Sequence, residues 1–539
     1  MSFRLPRLSH TLLWLMAALL ALPVVVVLGS WAQTTATGWD VLHNMMQTVL
    51  PDYVHTTVLL ALLVGLGVTC MGTTAAVLVT LFDFPMRRTF EWALLLPMAM
   101  PAYVVAYAYT DFLQFSGPLQ TALREALGTE GRVLPEIRNV WGAAALFTFV
   151  LYPYVYLLVR TALSQRAMHL MEAGRLLGGN AWRCMWTIAL PLARPAMAAG
   201  VALALMETMA DFGVSSYFGI QTFTAGIYKA WLVMDEPIAA AQLATCLLVI
   251  VAVLLAAEQR AQRRLRFASA RADRQGQASH AQRLKGAWIA LAWTLCAVPV
   301  CCGFVLPVGF MCRALWQNSE GVSLPWDRFI QWSATSLSLG AMTALLAVAA
   351  ALLLAAQARL RPSWITRQSV RVVGLGYAVP GAVIVVGLLL PVGWLQTHWP
   401  QLGVGYWLTA TVLGLVWAYL VRFVSVALQS VQSGYARVPT SLDDSARMLG
   451  TSGMKLVQHV HWPLLKQPLA AATLLVLVDV MKELPATLVL RPFNTDTLAV
   501  MAYQLARDER LAEAALPSLA LVLVGLLPVI LLSRTLRRD

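Results

Sequence analysis

"EAGRLLGGNAWRCMWTIALPLARP" occupies residues 172–195, and "DSARMLGTSGMKLVQHVHWPLLKQP" occupies 444–468. They are one passage written twice. Adding 272 carries Arg175 to Arg447, Gly178 to Gly450, Arg183 to Lys455, Pro191 to Pro463 and Arg194 to Lys466. The same shift takes Glu207 to Asp479 and Asp211 to Glu483. Upstream the register drifts, so that "LPMAMPAYVVAYAY" faces "GYAVPGAVIVVGLL", with Pro101 against Pro380. The chain therefore reads as a tandem repeat with a period of about 260 residues.

What surrounds the passage sets the class. Of 539 residues, 59% are hydrophobic and 12% charged, a composition that excludes an ordinary soluble globule. A helix needs about 20 apolar residues to cross the hydrocarbon. Such runs fall at 11–31, 56–82, 92–113, 141–163, 196–218, 238–257, 287–312, 334–357, 372–395, 406–428, 468–490 and 514–533. The first, from Thr11 to Trp31, is too long for a signal-peptide core. Lys and Arg mark the loops that stay in the cytoplasm, and 29 of the 39 lie on alternate sides beginning with residues 1–10. Both termini are thus expected in the cytoplasm. This sorting accounts for the net charge of +13, which predicts anionic lipid as the neighbour and no nucleic-acid partner.

The expected fold is all-α and polytopic: residues 1–257 as a first six-helix repeat, 258–286 as a basic cytoplasmic linker, and 287–539 as a second repeat. An even number of spans separates the copies, so both share one orientation. The seven cysteines lack CxxC spacing and mostly sit in apolar runs, which makes them small core residues.

Within the repeated passage, glycines (Gly178 and Gly179; Gly450 and Gly453) stand beside candidate N-caps, Asn180 and Ser452, predicting two short helices in each copy. Pro191 and Pro463 are expected to open the next span. In the second copy Ser441 is the expected N-cap, with Asp444 completing a capping box; the first copy offers only His169. Each copy then presents an acid and a base three residues apart on one helix face, Glu172 with Arg175 and Asp444 with Arg447.

The pattern Glu172-Ala173, Gly178, Ile188, Leu190-Pro191 resembles the EAA loop in permeases of binding-protein-dependent ATP-driven importers, a helix that docks on a separate ATPase subunit. The resemblance implies a type I ABC importer (MetI-like) permease fold. ATPase-coupling residues would be Glu172, Ala173, Gly174, Arg175 and Gly178 in a motif at about 165–195, and Asp444, Ser445, Ala446, Arg447 and Gly450 in one at about 439–468. The second copy departs from the pattern at Asp444-Ser445 and Trp462, so unequal docking is expected. No Gly-x-x-x-x-Gly-Lys-Ser/Thr loop is present; the chain is expected to bind no cofactor and catalyse nothing itself, with ATP on two copies of a partner subunit.

Past each passage come acids in apolar surroundings, where an ionisable group must face water, a partner or a substrate. Glu207 with Asp211 and Asp479 with Glu483 are four apart and are read as sharing a helix face. They form the expected transport path. Counted from Pro195, Glu207 lies roughly 18 Å and Asp211 roughly 24 Å along the helix. Oxygen ligands suit a hard cation, so Glu207 and Asp479 are candidate transient metal ligands. The competing reading is structural, with Lys482 neutralising Asp479 or Glu483.

"LPMAMPAYVVAYAYTDFLQFSGPLQ", "ADFGVSSYFGIQTFTAGIYKAW" and "DVMKELPATLVLRPFNTDTLAVMAYQLARDERLAEAA" resemble the fused permeases of bacterial ferric-iron importers of the inner membrane. The resemblance implies Fe3+ as substrate and a periplasmic ferric-binding protein as partner. Tyr217, Tyr228, Asp235, Glu236, Tyr503, Asp508 and Glu509 would be candidates to receive it. The same machine for thiamine, a polyamine, a phosphonate or an oxyanion is the nearest rival, four acids arguing against the last. A proton-coupled secondary transporter leaves the duplicated passage unexplained, and a non-transporting scaffold predicts no flux.

Overall fold

In the computed structural model the described residues are 6–33, 36–164, 168–269, 282–318, 326–451 and 453–536. Among them, eleven helices are long and apolar enough to cross a membrane. A further pair, Arg87–Ala99 and Ala102–Leu127, passes the same test only together and is bent by 90°, a broken span or a re-entrant loop. Pro97 and Pro101 stand at that bend, where a missing N–H and a fixed φ stop the first helix and start the second. Pro380 does the same in the second copy, preceding the helix Gly381–His398. The expected span 92–113 is therefore not one straight helix.

Two other spans are shifted. The run at 196–218 is a helix Leu190–Ala210 and a separate short helix Gly213–Phe218. The run at 468–490 is likewise Trp462–Lys482 followed by Pro485–Leu490. Pro191 and Pro463 stand second in the helices Leu190–Ala210 and Trp462–Lys482, while the continuous spans begin earlier, at Trp182 and Val457. Each follows a π-turn, Met185–Ala189 or Val457–His461, at corresponding positions of the two copies. The wider turn makes room for the proline ring inside a continuing helix.

The basic tract is partly helical: Pro237–Ser269 carries the last span well beyond its apolar part. Residues 270–281 of the expected linker lie outside the described residues. After them, Gln282 and Arg283 pair in parallel with Phe82 and Asp83.

The chain divides into two compact units that cut across the sequence repeats. One contains residues 1–44, 227–248 and 325–501; the other contains 45–226, 249–324 and 502–539. Each unit thus takes its first helix from one repeat and its core from the other.

In the first unit the helix Pro6–Gly29 lies on Gly381–His398, where a Cβ on Gly387 would collide with the Pro23 backbone. Pro23 lacks the N–H that Leu19 O would accept, and Trp417 Nε1 donates to that carbonyl at 3.1 Å. In the second unit Pro307 leaves the Cys302 carbonyl short of a partner beside the π-turn Cys301–Val305, and Tyr109 donates its hydroxyl there at 2.7 Å. Both prolines thereby fix a donor on the neighbouring helix, because lipid offers none.

Candidate functional site

The repeated passages form short helices outside the membrane spans, Met168–Leu176 in the first copy and Thr440–Met448 in the second, the two helices expected to dock. Both end alike. Gly178 has φ +86° and Gly450 has φ +81°, a left-handed conformation that glycine adopts without a Cβ penalty. Gly179 N donates to Gly174 O at 3.0 Å and Thr451 N to Ala446 O at 2.9 Å, the same six-residue closure in each copy. The chain then reverses into the spans Trp182–Ala210 and Val457–Lys482.

Just before each glycine stand two apolar side chains in the open. Leu176 and Leu177 are each 90% exposed, and Met448 and Leu449 are 89% and 86% exposed. They correspond pairwise at the repeat shift of 272. Sequence reading passed over them because apolar residues are unremarkable in a chain of this composition; their signal was a position between two spans and next to a helix-ending glycine.

The expected polar members are placed as follows. Asp444 and Arg447 are exposed and paired at 2.9 Å, three residues apart on one face. Ser445 and Ala173 are exposed, while Ala446 and Gly174 are half-buried. The side chains of Glu172, Arg175 and His169 lie outside the described residues, as does Ser452. Asn180 directly precedes the short helix Ala181–Cys184. Ser441 is not the cap of the second docking helix. That place belongs to Pro439, which makes no side-chain cap, and Ser441 lies within the first turn.

The residue that anchors this helix is Asp443, which sequence reading left aside in favour of Asp444. It is the only buried residue of Thr440–Met448, 4% exposed. Arg359 Nε donates to its Oδ2 at 2.7 Å and His461 Nε2 stands 3.0 Å from its Oδ1. Burial pushes the Asp443 carboxyl up, but the hydrogen bonds and charges of Arg359 and His461 outweigh it and hold the group below the usual carboxylate range.

The four membrane acids separate into two kinds. Asp211 and Glu483 stand at the C-terminal caps of their helices with extended backbone, φ −72° and −69°. They therefore do not continue the helical face of Glu207 and Asp479, and the periodicity argument fails at the cap. Asp211 Oδ1 accepts from Val214 N at 2.8 Å. Glu483 accepts from Ala486 N at 2.9 Å and Thr487 N at 3.0 Å, and Arg422 lies 3.9 Å away. Each acid caps the short helix that follows the break. Glu207 and Asp479 remain within their helices, half-buried. Among the described residues no group of three or more His, Cys, Asp or Glu is placed to hold a metal ion.

Of the candidates for receiving a binding protein, Asp235, Glu236, Asp508 and Glu509 are exposed. Tyr228 and Tyr503 are not: both are buried, with Tyr228 donating to Pro485 O at 2.6 Å and the Tyr503 hydroxyl 2.8 Å from Ser216 Oγ. The Tyr217 hydroxyl meets Arg138 at 3.3 Å.

Comparison with known proteins matches this architecture twice over. The model of the binding-protein-dependent transport system inner membrane component family matches residues 69–267 and again 331–538. The Fe(3+)-transport system permease protein FbpB 2 of Haemophilus influenzae is 24% identical over 498 residues, covering 90% of each chain. The sulfate transport system permease protein CysT of Escherichia coli is 26% identical over 200 residues, 37% of this chain and 67% of that one. The putative 2-aminoethylphosphonate transport system permease protein PhnV of Salmonella typhimurium is 27% identical over 239 residues, 43% and 83% of the two chains. With two family matches enclosing both docking passages, the chain is a membrane permease of a binding-protein-dependent importer and belongs to the binding-protein-dependent transport system inner membrane component family.

Proposed function

We propose that this permease carries ferric iron across the bacterial inner membrane into the cytoplasm, driven by ATP that separate subunits hydrolyse. Both termini and the basic tract lie in the cytoplasm in this reading. Two copies of an ATPase subunit dock on Met168–Leu176 and Thr440–Met448, and a periplasmic ferric-binding protein delivers the ion to the opposite face.

The observation that carries the reading is the exposure, outside the spans, of Leu176 with Leu177 and of Met448 with Leu449. Paired apolar knobs in water mark a binding surface, and burying each such side chain yields about 1.5–3 kcal/mol. The polar partners Glu172, Arg175, Asp444 and Arg447 then set orientation. Each docking helix leads through one tight turn into the span that bears Glu207 or Asp479, so a shift of the docking helix tilts that span.

Fe3+ as cargo draws support from the ferric-permease relative, which matches across both repeats. Glu207 and Asp479 supply the hard oxygen ligands that such an ion would meet in passing. Asp211 and Glu483, as caps, hold the helix breaks beside them.

Purified permease should capture an ATPase of its own operon and, in proteoliposomes with that ATPase and its binding protein, show ATP-dependent uptake of radiolabelled ferric iron. Uptake of sulfate, molybdate or a phosphonate instead would replace the cargo. Uptake that survives ATP depletion but stops when the proton gradient collapses would replace the machine.

A further inference from the structure

The second docking helix is fastened to the membrane bundle by a charged network with no counterpart among the described residues of the first copy. Asp443 receives Arg359 Nε at 2.7 Å and Nη2 at 3.2 Å. The remaining guanidinium donors grip the turn that joins the span Leu413–Ala436 to the docking helix: Nη1 to Tyr435 O at 3.0 Å and Val438 O at 2.9 Å, Nη2 to Pro439 O at 3.0 Å. His461, fully buried, places Nε2 on Asp443 and Nδ1 on the Tyr435 hydroxyl at 3.1 Å.

Each member comes from a different element. Arg359 is in the last turn of Trp326–Leu360, Tyr435 in the last turn of Leu413–Ala436, and His461 is the cap of Trp462–Lys482. One buried carboxylate therefore ties the docking helix to the ends of three membrane helices. A planar guanidinium with every N–H engaged holds direction as well as distance.

At the repeat shift of 272 the first copy has Leu163 for Tyr435, Met171 for Asp443 and Ala189 for His461, all three buried. Apolar side chains resist separation, but they slide and change rotamer without breaking a directed bond.

We propose that Asp443, Arg359, His461 and Tyr435 are positioning residues that make the second docking helix a rigid arm of the span Trp462–Lys482, while the first docking helix pivots on its apolar seat. The two copies are thus unequal levers, and the second transmits most of the ATPase's stroke. This rests on the docking role proposed above.

Spin labels on Met448 and Gln458, and in a second preparation on the corresponding Leu176 and Trp186, test the rigidity without any ATPase. With native cysteines replaced, the 448/458 distance distribution is expected to be narrower than 176/186, and to broaden to match it in Asp443→Asn. Equal widths in the unmodified copies, or no broadening in that variant, would overturn the proposal. In proteoliposomes, the triple variant Arg359→Leu, Asp443→Met, His461→Ala replaces the charged clasp with apolar side chains, those at 443 and 461 being the first copy's own. It is expected to retain ATPase capture while solute moved per ATP falls by about fivefold or more. An unchanged ratio in the inserted protein makes the network merely structural. Should the triple variant not insert, Asp443→Asn is expected to lower the same ratio. Failure of the wild-type permease to capture an ATPase would reject the docking role and leave the distance measurement to decide the clasp.

Discussion

Arg359 donates to Asp443 across 2.7 Å, and between them these two residues join an exposed helix of nine residues to the half-buried end of a 35-residue one. Removing the acid strands a buried guanidinium, so Asp443→Ala is expected to cost about 3–5 kcal/mol. Backbone amides of residues 440–448 should lose hydrogen-exchange protection while those of Leu413–Ala436 keep theirs.

The same pair predicts a pH dependence. Because the Asp443 carboxyl is held below its usual value of 3.8, it binds fewer protons folded than unfolded. Its contribution is fully present above the unfolded pKa and is lost as pH falls through the lower folded value. Exchange from the second docking helix should therefore accelerate in acid below about pH 4, and Asp443→Asn should remove that acid step.

Gly178 and Gly450 have open space where a Cβ would stand, so only their positive φ forbids a side chain. Gly178→Val or Gly450→Val is expected to cost about 1–3 kcal/mol of local strain. Membrane insertion should be normal, with ATP hydrolysis no longer matched by uptake; unchanged uptake would remove the coupling role.

Asp211 and Glu483 should behave differently although they correspond in the repeat. Asp211→Ala loses one cap bond, worth about 1 kcal/mol. Glu483→Ala loses two backbone bonds and leaves Arg422 beside an empty place, about 3–5 kcal/mol. Thermal unfolding in detergent gives the order. Glu207→Ala with Asp479→Ala should instead abolish ferric uptake with ATPase capture intact.

Because each compact unit borrows its first helix from the opposite repeat, the chain cut within 270–281 should yield halves that accumulate only when expressed together. A half that is stable alone would show that the borrowed helix is dispensable. On a finer scale, Trp417→Phe should orphan the Leu19 carbonyl at about 1–3 kcal/mol, read as a lower melting temperature.

How much was legible in the sequence varied with the range of the interaction. Gly178 and Gly450 were found because a left-handed helix end is decided by a few consecutive residues. Asp444 and Arg447 were found for the same reason, since a pair three residues apart needs only a helix. Ser441 misled, because a serine at the right spacing caps only when the turn before it is open, and Pro439 already begins the helix. Asp211 and Glu483 misled as well: four-residue spacing implies a shared face only while the helix continues, and each acid is what ends it. Asp443 was invisible because its partners lie 84 and 18 residues away.

The sequence alone determined the membrane class and the twofold repeat, since each follows from local apolarity or from self-similarity at a fixed shift. Tertiary structure decided which repeat each first helix packs on, which acid anchors and which caps, and how the second of two corresponding passages is held. Those outcomes depend on directed bonds between residues far apart in the chain, and neither composition nor spacing records them.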